Sequence, residues 1–143
     1  MTGAGLAETG SRPDARRRAE TSMARFSLGA LILYIPAETL VSWPELLSPG
    51  YLVDVLAFGL LLFGGWHSLR ARPAPAAGPL CAAWGFCACL AWRSYFLRVY
   101  SRQRGLGLYH EPGYIEPVLA VVLVIALAAL AVMLWIAWVP RIR

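Results

Sequence analysis

Apolar residues along the chain gather in four blocks of about 20, separated by short polar or proline-rich stretches. A helix of that length crosses the roughly 30 Å hydrocarbon core of a bilayer. The pattern predicts spans at about Phe26–Trp43, Tyr51–Leu69, Leu80–Val99 and Ile115–Val139. The expected fold is an all-α membrane protein with four transmembrane helices, occupying residues 23–143. Residues 1–22 are small, polar and charged, and are expected to form a disordered basic tail that insertion can do without. Met23, at the onset of the hydrophobic sequence, is a second candidate start. The link "PELLSPG" is short enough for a tight helical hairpin, "RARPAPAAGP" is a proline-rich connection, and "YSRQRGLGLYHEPGY" is the longest loop.

Composition sharpens this picture. With 59% hydrophobic and 15% charged residues, too little polar surface remains to clothe a water-soluble core. All 13 basic residues are arginine, which with the many Ala, Gly and Pro points to a GC-rich, bacterial genome. The formal charge of +5 lies in the ends and loops, where it marks topology and attraction to anionic lipid and not nucleic-acid binding. Arg12, Arg16, Arg17, Arg18, Arg25, Arg70, Arg72, Arg141 and Arg143 fall on one side of the four spans, against Arg98, Arg102 and Arg104 on the other. That asymmetry predicts a multi-pass inner-membrane (plasma-membrane) protein with both termini cytoplasmic. Trp43, Tyr51, Tyr100 and Tyr114 would mark the outer interface, and Trp66, Trp135 and Trp138 the inner one.

"PGYLVDVLA" (Pro49–Ala57) and "PGYIEPVLA" (Pro112–Ala120) match at six of nine positions, each opening an even-numbered span. Two similar interfacial turns would explain this, as would two duplicated helical hairpins related by an axis along the membrane normal.

Reactive chemistry is thin. Cys81, Cys87 and Cys89 share one apolar block and read as small hydrophobes. Cys87 and Cys89, two residues apart, point to different faces of a helix, a poor geometry for a metal or a disulfide. His67 and His110 fall at opposite ends of the bundle and cannot bracket one haem. There is no phosphate-binding glycine loop and no nucleophile elbow. No cofactor and no metal are expected.

Charges within or bordering the spans carry the remaining signal. Glu38 lies roughly 8 Å, and Arg93 roughly 9 Å, below the outer edge at 1.5 Å per residue. Asp54 and Glu116 open spans two and four at the same edge. A lone intramembrane charge costs roughly 2.5–3.5 kcal/mol or more, so Glu38 and Arg93 at matched depth are expected to pair. Cys81, Gly85, Cys89 and Arg93 recur every four residues, a small-residue stripe that lets helices approach. Ala30, Tyr34 and Glu38 follow the same spacing in span one, and Pro36 leaves the Ile32 carbonyl without its helical donor. The candidate site is an outer-leaflet polar cluster of Tyr34, Glu38, Asp54, Arg93 and Glu116.

Two functions lead, ahead of a membrane enzyme, which would need a convergent set of His, Asp or Glu where only Glu38, Asp54 and Glu116 gather. One is a structural or accessory bundle, associating with the lipid bilayer and with itself or a larger membrane protein through the Cys81/Gly85/Cys89 face. The other is a small proton- or cation-coupled transporter using Glu38.

Overall fold

The structure, a computed structural model, describes residues 11–41, 43, 48–70, 77–106 and 113–138. These form four helices: α1 (Ser11–Val41), α2 (Pro49–Arg70), α3 (Ala77–Arg104) and α4 (Ile115–Trp138). Three of them, α2, α3 and α4, are long and apolar enough to cross a membrane. The apolar part of α1, Phe26–Val41, is shorter than the roughly 20 residues a crossing needs and is interrupted by Pro36 and Glu38. The helix nonetheless runs through Pro36 without a break.

Residues 11–22 correct the sequence expectation. They are not a disordered tail but the first three turns of α1. The segment opens on Ser-Arg-Pro-Asp, a helix-start pattern with proline in the first turn. Its inward stripe continues that of the rest of α1: Glu20, Ala24, Ser27 and Leu31 recur at helical spacing and are buried. Ala19 and Met23 pack on the same core as Leu80, Met133 and Ile136. Arg16 and Glu20, one turn apart, both take part in polar or charged contacts. The polar composition hid a helix that packs on the bundle beyond the apolar part of α1. Residues 1–10 lie outside the described residues.

Each helix packs along its sequence neighbour, and α1 meets α4 over a much shorter stretch than any sequential pair. At Gly64 a Cβ would come 2.9 Å from the Leu80 Cα, so only glycine lets α2 approach the α3 backbone there. Next to it, a Cβ on Gly65 would meet the Leu28 side chain at 3.2 Å. The adjacent glycines seat α2 between α1 and α3.

A buried polar chain ties α3 to α1. The Trp84 indole Nε1 donates to Ser27 Oγ (2.9 Å), and that hydroxyl donates to the Met23 carbonyl (2.7 Å). Phe26 stacks on Trp84 at 5.9 Å. At the other end, the Thr39 and Tyr51 hydroxyls share a hydrogen bond of 3.0 Å that joins α1 to α2.

Helix ends explain the shifted boundaries. Ser48 caps α2, accepting from the Tyr51 amide with Pro49 in the first position. α3 runs to Arg104, five residues past the expected Val99, and stops at Gly105. Gly105 has φ 61°, and the amides of Gly105 and Leu106 bond back to the Arg102 and Ser101 carbonyls, a Schellman cap. The paired Pro-Gly-Tyr turns are not equivalent: Pro49–Tyr51 lies inside α2, whereas Tyr114 precedes α4 and accepts from the Val118 amide.

Candidate functional site

Between the helices lies a cavity of about 730 Å³ walled by all four. Its floor is Phe26, Leu31, Leu61, Trp84 and Ala126, the residues around the Trp84–Ser27 hydrogen bond. Toward the opposite end the wall turns polar, with Tyr34, Asp54 and Ser94. Tyr34 is held edge-on against Phe58 at 5.4 Å, which fixes its ring between α1 and α2. Asp54 is half-buried in the second turn of α2 and has no hydrogen bond or ion pair among the described residues. The charged group that Asp54 feels most is Glu38, another carboxylate. No arginine or histidine belongs to the described wall.

The cavity is closed unevenly. Beyond its floor Ala24, Met133 and Ile136 are fully buried, and Met23 packs against the same core. Along the α1–α4 side, Leu33 is 77%, Phe26 47% and Ile125 43% exposed although all three line the cavity. Gly29, also on this wall, is exposed with open space where a side chain would be. The cavity thus has a side opening between α1 and α4.

The predicted cluster is only partly assembled. Tyr34, Glu38 and Asp54 do share one neighbourhood. Arg93 does not join them. Its side chain is exposed, while the next residue, Ser94, faces the cavity. The expected Glu38–Arg93 pairing fails because of how a stripe of every fourth residue runs on a helix. Four residues at about 100° each overshoot a full turn by about 40°. Three such steps from Cys81 carry Arg93 about 120° round. The packed face of α3 instead follows Ala77, Leu80, Trp84, Ala88 and Ala91, at mixed spacings of three and four. Cys81 and Gly85 are half-buried at its margin, Gly85 towards Leu130, and Cys89 is exposed. Glu116 is also elsewhere: it pairs with Arg102, linking the start of α4 to the end of α3.

Sequence reasoning missed Ser94 and the Trp84–Ser27 contact. The mixed spacing through Trp84, Ala88 and Ala91 was the available signal. His67 stacks on Phe63 one turn back and Arg70 lies over Trp66 at 4.1 Å, so the basic end of α2 makes local contacts. His110 lies outside the described residues. Among the described residues no group of three or more metal-ligating side chains converges. Comparison with family models, with curated proteins and with solved structures finds no match to this chain.

Proposed function

We propose that this protein is a four-span bacterial inner-membrane protein, both termini cytoplasmic, that binds a cation at Asp54 within its interhelical cavity. Binding there serves proton- or cation-coupled movement and not catalysis. The observation that carries this reading is the Asp54 carboxylate on the wall of a 730 Å³ cavity, with no hydrogen bond or ion pair to a cation among the described residues. A half-buried carboxylate near the end of an apolar span is costly without compensation, and in membrane proteins such groups mark ion and substrate pathways. The cavity volume falls in the range of small-molecule sites, about 300–1,000 Å³. Glu38, the residue expected from the sequence to do this, takes the supporting place: it adds negative potential next to Asp54.

The test is cation binding to the protein in lipid nanodiscs, with proton release followed by a pH-sensitive dye. Sodium and alkylammonium ions of increasing chain length serve as probes. At least one should bind and displace protons, and Asp54→Asn should abolish both. If no probe binds in an Asp54-dependent way, the reading is overturned.

The accessory-bundle reading draws on a different feature, the outward face of α3, where Cys89, Trp92 and Phe96 are all exposed. It expects Cys89 to cross-link between copies or to a partner in the membrane, and Asp54→Asn to leave function intact.

A further inference from the structure

We infer that the cavity takes an amphiphilic cation drawn from the bilayer, its alkyl tail on the apolar floor and its ammonium head against Asp54, entering sideways between α1 and α4. This rests on the reading of Asp54 as a cation site and names the class of cation. Three observations converge on it.

The first is polarity along the cavity. Leu31, Leu61 and Ala126 line one end, while Asp54, Tyr34 and Ser94 line the other. A small hydrated ion would leave the apolar end wetted, at a cost of roughly 25 cal/mol for each Å² of apolar surface kept in water. A ligand with one apolar and one charged end satisfies both. The second is the sign of the charge. Asp54 has no described cationic partner, its charged neighbour is Glu38, and Arg93 turns away from the cavity. An anionic head would meet repulsion there, and a neutral one would forgo the Coulombic gain. The third is the route. The side opening is flanked by Leu33, Gly29 and Ile125, so whatever passes it traverses an apolar rim. In a bilayer that rim faces acyl chains, where an amphiphile is already concentrated by partition and a free ion is not.

The experiment uses the full chain in nanodiscs of phosphatidylethanolamine and phosphatidylglycerol, with equilibrium dialysis against protein-free discs. The probes are dodecyltrimethylammonium, tetramethylammonium and the uncharged dodecyl maltoside. Dodecyltrimethylammonium should bind about ten-fold or more tighter than either of the others. Asp54→Asn should remove that preference over the uncharged probe. Gly29→Phe adds a side chain where a Cβ meets nothing within 4 Å, so the fold is expected to survive it. That variant should weaken dodecyltrimethylammonium binding at least about five-fold, with an unchanged helical circular dichroism spectrum and melting temperature. Equal binding of the charged and uncharged dodecyl probes overturns the inference. So does Gly29→Phe binding as tightly as the parent. If tetramethylammonium binds as well as the long-chain ion, and Asp54→Asn abolishes both, the cation site stands and the amphiphile assignment falls. If no cation depends on Asp54, both fall.

Discussion

Trp84 offers its indole N–H to Ser27 Oγ, and both residues are buried. Ser27→Ala removes that acceptor and leaves a buried donor unmade. A loss of about 1–2 kcal/mol is expected, the upper part of the range for interhelical hydrogen bonds in membranes, because the donor is left unmade. Reversible unfolding in mixed micelles measures it. Trp84→Phe on top of Ser27→Ala should cost less than the two single changes added, because one interaction is lost only once. Gly64 supplies a second test with an internal control. Gly64→Ala forces a Cβ against the Leu80 backbone and should destabilise by about 1–3 kcal/mol. Gly59→Ala, in the same helix but with open space around it, should be neutral or stabilising by up to about 1 kcal/mol. If both alanines behave alike, the close approach of α2 to α3 is wrong. For Glu38 and Arg93 the expectation is additivity: Glu38→Gln and Arg93→Leu should couple by less than about 0.5 kcal/mol, since Arg93 faces away.

Element by element, the sequence was legible where hydrophobicity alone decides, and it misled where capping or facing decides. α2 and α4 lie close to their expected limits because an uninterrupted apolar block leaves little choice. The extension of α3 to Arg104 was written in the sequence as a basic last turn followed by glycine, but length-based reading of a span ignores it. Helical order in residues 11–22 was hidden for another reason. Low hydrophobicity signals disorder in isolation, yet these turns need to cover only a few buried positions once the rest of α1 is helical. Within the site, depth could be read from residue counts, so Tyr34, Glu38 and Asp54 came out together. Direction around the axis could not be read from a four-residue stripe, and that is why Arg93 was misassigned. The corrected α1 makes its own prediction. Deleting Thr2–Ser22 removes Ala19 and Glu20 from the packed end and should lower the melting temperature by several degrees. Ala19→Asp alone should do much of the same. An unchanged melting temperature in both would return the segment to a dispensable tail.

For the whole molecule, the arginine asymmetry and the number of apolar blocks make one joint statement about topology. Reporter fusions after Arg143 and within Arg102–Gly107 should report opposite sides, with the C-terminus cytoplasmic. A fusion after Val41 should report the same side as Arg102–Gly107 if α1 crosses in spite of its short apolar part. If it reports cytoplasm, α1 lies along the surface and the cavity loses one wall in the membrane.

The floor of the cavity also sets an order in time. Leu80, Met133 and Ile136 pack with Ala24 beyond that end, but Met133 and Ile136 belong to α4, which is made after α1, α2 and α3. Until it arrives, the newborn three-helix chain exposes Ala126's place in the wall and the buried stripe of α1 to whatever surrounds it. Insertion of the first helix is thus provisional, and commitment comes with the fourth. A chain stopped before Ile115 should reach the membrane and then be cleared by quality-control proteases, while supplying α4 as a separate polypeptide should rescue it.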